Sequence, residues 1–188
     1  METLQSLQNH FLIAMPSMDD PYFARTVTYI CEHNAEGAMG LIINQPVELS
    51  VEDLLEKLEI VIPEHGQRLD GPVFSGGPLA RDRGFVLHSA EQSWRSSVKL
   101  SDDVVITTSK DILEAMGKGI MPSDYLLTLG YAGWEAGQLE RELAENSWLT
   151  IPADKDILFH TPSKERWQKA VKKLGIQTWQ LGPDVGHA

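Results

Sequence analysis

The stretch Val27-Thr-Tyr-Ile-Cys-Glu-His-Asn-Ala-Glu-Gly-Ala-Met-Gly-Leu-Ile-Ile-Asn44 decides the fold class of this chain. Its first part has a period-two pattern rich in β-branched and aromatic residues, which is typical of a strand. A four-residue turn at 34–37 and an apolar run at 40–44 follow. Two strands joined by so short a turn pair antiparallel, so the sequence predicts a β-hairpin.

Strand and helix patterns are mixed along the rest of the chain. Apolar runs predict strands at 11–15, 73–74, 84–88, 104–108, 125–129, 148–151 and 157–159. Helices are predicted after Ser50, after Ser109, around 139–143, and from Pro162 to a stop at Gly175. The segment Gly130-Tyr-Ala-Gly-Trp134 is predicted to be a turn between a strand and a helix. No linker interrupts the pattern, so we expect an α+β fold with a mixed sheet in one domain, 1–188.

Composition and charge exclude several classes of protein. The 188 residues are 42% hydrophobic and 23% charged, which is typical of a globular chain. Sixteen basic against 27 acidic residues give a net charge of −11, a field that repels nucleic acid and anionic membranes. The single Cys31 excludes an intrachain disulfide and a four-cysteine zinc site. No early apolar run resembles a signal peptide or a membrane span, so we expect a cytoplasmic protein without membrane contact.

The segment from Ser75 to Arg83 is the first candidate for a ligand site. Consecutive glycines, Gly76 and Gly77, let backbone N–H groups converge on an anion, and Arg81 and Arg83 can close over it. Neither a Walker A nor a GxGxxG motif is present. Ser75 has only half of a G-x-S-x-G nucleophile motif, which disfavours a serine hydrolase. The structural alternative is a Gly-Pro turn in which Asp82 forms a salt bridge with a neighbouring arginine.

Cys31 and His33 are the second candidate. Two residues apart on a strand, their side chains are expected on one face of the sheet. A thiol beside an imidazole can form an activated nucleophile or half of a metal site. No third ligand or orienting carboxylate is evident, and a free cysteine usually acts as a small buried hydrophobe. We therefore expect no catalytic residue, no metal and no cofactor.

The C-terminal helix is the third candidate. Residues 164–173 carry five basic side chains and one acid, with Lys169, Lys172 and Lys173 expected to face water. Such a face can contact phosphates or a partner protein, although most charged helix faces are simply exposed to solvent. No helix-turn-helix or zinc-finger pattern accompanies it, so sequence-specific binding of nucleic acid is disfavoured. The acidic residues of 135–145 instead favour a basic partner, if this surface binds one.

A series of short motifs resembles one known family. They are Phe11-Leu-Ile-Ala-Met-Pro16, Cys31-Glu-His-Asn34, Gly37-Ala-Met-Gly-Leu41, Gly76-Gly-Pro78, Asp82-Arg-Gly-Phe85, Gly130-Tyr-Ala-Gly-Trp134, Gly137-Gln-Leu-Glu140, Trp148-Leu-Thr150 and Gly186-His-Ala188. In this order they resemble the bacterial YqgE/AlgH family. The resemblance implies one domain with a mixed, partly barrel-like or bifurcated sheet flanked by about four helices. The AlgH name reflects a proposed role in regulating alginate production, and the family provides no catalytic residues to transfer.

The leading functional prediction is a cytosolic, non-catalytic binding or regulatory module that acts through a protein partner or a small anionic ligand. One alternative is an enzyme that acts on an anionic small molecule at Gly76-Gly77 with Arg81 and Arg83. A second alternative is weak DNA binding by the basic C-terminal helix.

Overall fold

The computed structural model describes residues 5–16, 18, 20–63 and 69–181. In this part of the chain, ten strands combine with four α-helices and one π-helical turn. The strands are β1 (His10–Ala14), β2 (Val27–Asn34), β3 (Gly37–Ile42), β4 (Pro46–Ser50), β5 (Pro72–Ser75), β6 (Leu79–His88), β7 (Val98–Lys99), β8 (Val105–Thr107), β9 (Tyr125–Glu135) and β10 (Trp148–Pro152). The helices are α1 (Val51–Lys57), α2 (Lys110–Gly117), α3 (Gln138–Ala144) and α4 (Ser163–Leu181), and the π-helical turn is Asp156–His160.

All ten strands form one curled sheet, with the order β10-β1-β2-β3-β9-β6-β8-β7 and a side branch of β4 and β5. Every pairing is antiparallel except that of β5 with β9, which is parallel. The predicted hairpin is confirmed, since β2 and β3 pair antiparallel across the turn. The predicted α+β class with a mixed sheet is confirmed, and the sheet curls into a half-barrel.

The sheet divides at β9. The first half of β9 lies between β5 and β6, where Thr128 is opposite both Phe74 and Phe85. The second half pairs with β3, from Ala132 opposite Gly40 to Glu135 opposite Gly37. Gly130 separates the two halves and has a left-handed φ of +82°, which glycine adopts without steric penalty. This strand therefore produces the bifurcation that the family resemblance implied.

Three expectations about local structure are wrong. The segment 130–134 is not a turn, because β9 continues through it to Glu135. The apolar run 157–159 is not a strand but part of the π-helical turn, since so short a run does not distinguish the two by periodicity. Helix α4 does not stop at Gly175 but continues to Leu181. A glycine inside a helix lowers stability by about 1 kcal/mol without ending it.

Three clusters of buried side chains pack against the sheet. The first cluster lies between one face of the sheet and helix α4 and includes Phe11, Tyr29 and Leu87. The second cluster packs α1 and α2 onto the other face of β6 and the first half of β9. The third cluster packs α3 onto β1 and the second half of β9 through Trp134, Leu139 and neighbours. Within the described ranges, no helix combines the length and apolar composition that crossing a membrane requires.

The two consecutive glycines of the sheet edge are explained by close backbone contact. A Cβ on Gly76 would lie 2.4 Å from the carbonyl oxygen of Gly130, and one on Gly77 would lie 2.0 Å from the carbonyl carbon of Tyr131. Both distances are far below van der Waals contact, and the obstructing atoms belong to the backbone of β9. Only glycine therefore lets this segment approach the strand at which the sheet divides.

Replacing either glycine should destabilise the fold. We expect Gly76→Ala and Gly77→Ala each to lower the free energy of unfolding by about 2–3 kcal/mol, because the backbones must separate. Equilibrium urea denaturation measures this change. Gly71→Ala is the matched control, since a Cβ there meets nothing within 4 Å, and it should change stability by less than about 0.5 kcal/mol. A Gly76→Ala protein as stable as the control would contradict this explanation.

His88 is a buried polar residue at the end of β6. Its Nδ1 donates to the carbonyl oxygen of Ser89 at 2.8 Å, and its Nε2 accepts from the hydroxyl of Thr107 at 2.7 Å. Its ring also contacts Trp94 edge-on. Burial lowers the pKa of His88 below its ordinary value of 6.5, although the Ser89 hydrogen bond and the nearby Glu91 charge oppose this. The folded protein therefore holds this imidazole neutral.

A depressed histidine pKa makes stability depend on pH in one direction. The unfolded chain binds the proton at a higher pH than the folded chain, so stability should fall as pH decreases below about 6.5, by at most about 1.4 kcal/mol per pH unit from this group. Urea denaturation between pH 7.5 and 5.5 measures the slope. His88→Gln should be less stable at neutral pH but show a flatter slope. Equal slopes for the two proteins would show that His88 does not carry the effect.

Candidate functional site

The structure separates Cys31 from His33. A β-bulge lies between Ile30 and Glu32 in the pairing of β2 with β3. An extra residue in a strand shifts the alternation of side chains, so Cys31 and Glu32 line the same cavity. The His33 side chain instead contacts Glu140 of α3. The expectation that Cys31 and His33 share one face is therefore wrong.

Cys31 lines a cavity of about 610 Å³ beside the first cluster. We call it the Cys31 cavity. Its walls are mostly apolar side chains from β3, β6, β8 and β9 and from the segment before β8. The lining residues are Gln8, Cys31, Glu32, Met39, Arg83, Phe85, Val98, Leu100, Ile106, Thr108 and Tyr131. The structure thus brings two predicted ligand-binding residues, Cys31 and Arg83, to one site.

The polar groups of the Cys31 cavity have distinct states. Burial, and then the charge of Glu32, raise the pKa of the Cys31 thiol well above its usual range, so the thiol is protonated and weakly nucleophilic. The guanidinium of Arg83 lies 5.4 Å from the centroid of the Phe85 ring. In the described ranges Arg83 forms no ion pair, and Asp82 pairs with neither neighbouring arginine.

His33 is fixed by two hydrogen bonds on the opposite side of the sheet. Its Nδ1 accepts from the backbone N–H of Leu7 at 3.0 Å. That bond leaves Nε2 to donate to the carboxylate of Glu140. Burial raises the pKa of Glu140, but hydrogen bonds from His33 and from backbone hold it below its usual value. These contacts attach the segment before β1 and helix α3 to β2, which is a structural role.

Ser75 and Arg81 meet at Tyr22. The hydroxyl groups of Tyr22 and Ser75 are 3.1 Å apart, and the Arg81 guanidinium lies 5.9 Å from the centre of the Tyr22 ring. The backbone N–H groups of Ser75 and Gly76 donate to the carbonyl oxygens of Gln45 and Leu129. The N–H of Gly76 is therefore not free to bind an anion in the nest that the two glycines predict. Cys31, His33 and Ser75 thus lie in three different places.

The C-terminal helix α4 presents less charge than its sequence indicates. Arg166 is only 6% exposed and donates to the carbonyl oxygens of Thr161 and Ile43. Burial lowers its pKa to about 10. Lys169 and Lys173 form ion pairs with Asp156 and Asp154 at 2.6 and 2.7 Å. Lys172 is exposed, and it is the member of the predicted partner-binding set for which no such ion pair is seen in the described residues.

A second cavity, of about 580 Å³, lies between α3 and the segments that precede β2 and β10. We call it the indole pocket, because Trp134 and Trp148 line it. Its other lining residues are Met15, Met18, Asp20, Phe23, Gly133, Gln138, Glu142, Glu145, Asn146 and Ser147. The ring of Trp148 packs edge-on against both Trp134 and Phe23, with centroids 6.2 and 5.5 Å apart.

Glu142 holds the two indoles together. Its Oε1 accepts from Nε1 of Trp134 at 3.1 Å and from Nε1 of Trp148 at 2.9 Å. Its Oε2 accepts from the side-chain amide of Gln138 at 2.9 Å. The two tryptophans are only 7% and 3% exposed, so their N–H groups have little access to water. Sequence reasoning treated Glu142 as one of several solvated acids and missed this network.

Comparison with known proteins now identifies the family. The sequence profile of the AlgH-like family matches residues 11–179. The chain belongs to the AlgH-like family. A UPF0301 protein of Idiomarina loihiensis is 66% identical over 185 residues, which cover 98% of this chain and all of that protein. A UPF0301 protein of Vibrio cholerae is 55% identical over 186 residues, covering 97% of this chain and all of that protein.

Two solved structures resemble this AlgH-like fold. The solution structure of AlgH from Pseudomonas aeruginosa matches with a TM-score of 0.79 and 47% identity, over 100% of this chain and 99% of that one. A crystal structure of a Corynebacterium diphtheriae protein matches with a TM-score of 0.70 and 21% identity, over 92% of this chain and 90% of that one. The second likeness concerns the fold alone. The names of these relatives state no activity, so the comparison establishes family and fold.

Removing the Glu142 carboxylate should destabilise the AlgH-like fold. Glu142→Ala leaves two buried indole N–H groups without an acceptor, so we expect a loss of about 2–4 kcal/mol in the free energy of unfolding. Urea denaturation followed by tryptophan fluorescence measures it. Glu145→Ala is the control on the same turn, because Glu145 is exposed, and it should change stability by less than about 0.5 kcal/mol. Equal effects of the two substitutions would contradict a structural role for Glu142.

Proposed function

We propose that this AlgH-like chain is a non-catalytic binding module and that its ligand is a small amphipathic anion held in the Cys31 cavity. One observation carries the proposal: one cavity is lined both by apolar side chains and by Arg83, which has no carboxylate partner among the described residues. Small-molecule sites commonly have mostly apolar walls and a few polar groups that orient the ligand.

The shape of the cavity and its charges define the ligand class. A volume of about 610 Å³ lies in the range of small-molecule sites. Met39, Phe85 and Ile106 provide contacts for an apolar body, and Arg83 at the exposed side provides a cation for a carboxylate or phosphate. Glu32 lines the same cavity, so it repels an anionic head group and limits where that group binds.

We infer that the site is not catalytic from the protonation and the hydrogen bonds of its reactive groups. The Cys31 thiol is held protonated by burial, and both ring nitrogens of His33 are engaged in structural hydrogen bonds. Nucleophilic catalysis needs a nucleophile and a base within hydrogen-bond reach. The candidate nucleophiles Cys31 and Ser75 have other neighbours: Cys31 contacts the carbonyl oxygen of Tyr29, and Ser75 contacts the hydroxyl of Tyr22. These contacts support binding rather than turnover.

We infer that any regulatory role is exerted through the ligand or a protein partner. The net charge of −11 opposes approach to DNA. The ion pairs of Lys169 and Lys173 further reduce the positive charge of α4, which disfavours the DNA-binding alternative. Lys172 remains available as a contact for a partner. A free buried thiol is compatible with a reducing compartment, which supports the cytoplasm as the place of action.

A second candidate function is supported by the cluster of Ser75, Tyr22 and Arg81. The guanidinium of Arg81 is exposed and lies over the Tyr22 ring, next to the paired hydroxyl groups. These three side chains can bind an anionic small molecule, as the enzyme alternative requires. The proposal therefore needs a test that separates Arg83 from Arg81.

Octanoate is a suitable probe for the proposed site. We expect it to bind the purified protein, with affinity measured by isothermal titration calorimetry. Arg83→Ala should weaken binding about three- to fivefold, the effect of one partly exposed ion pair. Glu32→Gln should strengthen binding about twofold, because a repulsive charge is removed. Octanol, the neutral counterpart, should bind the wild-type protein more weakly than octanoate does. It should bind Arg83→Ala as well as it binds the wild-type protein.

Arg81→Ala is the matched control, because it removes an equal charge on the same strand but outside the Cys31 cavity. Its affinity for octanoate should match that of the wild type. If Arg81→Ala lowers the affinity for octanoate and Arg83→Ala does not, the ligand binds at the Tyr22 cluster and the proposal is overturned. Consumption of a defined anion that stops in Arg81→Ala would establish the enzyme alternative instead.

A further inference from the structure

We propose that the indole pocket is a second binding site, specific for an organic cation: an alkylammonium or guanidinium group on a short aliphatic stem. The site is independent of the Cys31 cavity, since the two share no lining residue. It lies at α3, against the branch of the sheet formed by β1 and the second half of β9.

The first argument is the aromatic lining. Trp134, Trp148 and Phe23 line the pocket and meet edge-on, with interplanar angles of 79° and 83°. Nearly perpendicular rings form an aromatic corner, and the faces of such rings attract a cation that lies within about 6 Å. Met15 and Met18 add polarisable, adaptable surface, which accommodates an aliphatic stem.

The second argument is uncompensated negative charge. The carboxylates of Asp20, Glu142 and Glu145 line the pocket. In the part of the chain that the structure describes, none of the three has a basic partner, although Arg141 lies on the same helix. Glu142 is fully occupied by the two indoles and Gln138, so its charge is fixed in place. Asp20 and Glu145 are exposed, and Oδ1 of Asp20 accepts from the backbone N–H groups of Tyr22 and Phe23, which fixes its carboxylate at the rim of the pocket.

The third argument is size and selectivity. A volume of about 580 Å³ holds a small molecule or one long side chain of a partner protein. The indole N–H groups donate to Glu142 rather than into the pocket, so they offer no donor to an anion. Carboxylates combined with ring faces favour a positive charge and disfavour a negative one. The same chemistry exists in free amines and in lysine or arginine side chains.

Butylguanidinium and its neutral isostere butylurea test the proposal directly. The chain contains five tryptophans, so a two-dimensional NMR spectrum reports five indole N–H groups, and Trp94 and Trp167 serve as internal references outside the pocket. We expect butylguanidinium to shift the signals of Trp134 and Trp148 saturably, with a Kd of about 1–10 mM. Butylurea should bind at least about fivefold more weakly. Added salt should weaken the binding of butylguanidinium but not that of butylurea.

Charge-neutralising variants identify the groups responsible. Asp20→Asn and Glu145→Gln should each weaken butylguanidinium binding about two- to fivefold, and they preserve the size of each side chain. Glu48→Gln on β4 is the control at an exposed carboxylate outside the pocket and should leave the Kd unchanged. Octanoate binding should be unaffected by these variants, which separates a failure here from a failure of the function proposed for the Cys31 cavity.

Spermidine and the peptide acetyl-Gly-Arg-Gly-amide distinguish the two sources of the cation. Tighter binding of spermidine assigns the pocket to a free amine, and tighter binding of the peptide assigns it to a basic protein segment. Either result supports the proposal. The proposal is overturned if no cation shifts Trp134 and Trp148 at about 20 mM, if butylurea binds as well as butylguanidinium, or if Asp20→Asn and Glu145→Gln bind the cation as tightly as Glu48→Gln does.

Discussion

The close contact between the glycine pair Gly76-Gly77 and the backbone of β9 is the constraint on which the rest of the structure depends. A Cβ at Gly77 would meet Tyr131 at 2.0 Å, and one at Gly130 would meet the carbonyl oxygen of Gly77 at 2.5 Å. Because both sides lack side chains here, β5 can pair with the first half of β9 while β3 pairs with the second half. The sheet divides at this point into one branch that contains β3, β2, β1 and β10 and another that contains β5, β6, β8 and β7.

Two local irregularities then decide which side chains face which cavity. Along β9, Leu127 and Leu129 pack in the second cluster, whereas Tyr131 packs against the first and Trp134 belongs to the third. The left-handed Gly130 therefore shifts the alternation by one residue. The bulge in β2 does the same, since Cys31 and Glu32 share a cavity that His33 does not reach. These shifts assign Tyr131 and Glu32 to the Cys31 cavity, and Trp134 to the indole pocket.

The sequence predicted what short-range patterns determine. The hairpin of β2 and β3 is confirmed, and so is the start of α1, where Ser50 and Asp53 form a reciprocal capping box. It did not predict the course of β9 through 130–134, because glycines permit both a turn and an irregular strand. It predicted Cys31 and Arg83 separately but not their shared cavity. The sequence also did not predict the hydrogen bonds of Glu142 or the burial of Arg166. Both depend on tertiary contacts, which the periodicity of a single helix does not reveal.

The two proposed sites obtain affinity in different ways because the chain is acidic. Salt screens the field of the net charge of −11 over about 8–10 Å under physiological conditions. This field therefore favours a cation at the indole pocket only modestly, and it opposes an anion at the Cys31 cavity by a similar amount. An anion must therefore be bound mainly through apolar contact. Burying the six methylene groups and the methyl group of octanoate gives about 5–6 kcal/mol, whereas a partly exposed pair with Arg83 gives at most about 1 kcal/mol. The arginine thus orients the ligand, and the apolar walls retain it. At the indole pocket the order is reversed. An exposed cation gains little from apolar burial, so selectivity depends on the carboxylates and on the faces of the two indole rings, which Glu142 helps to position.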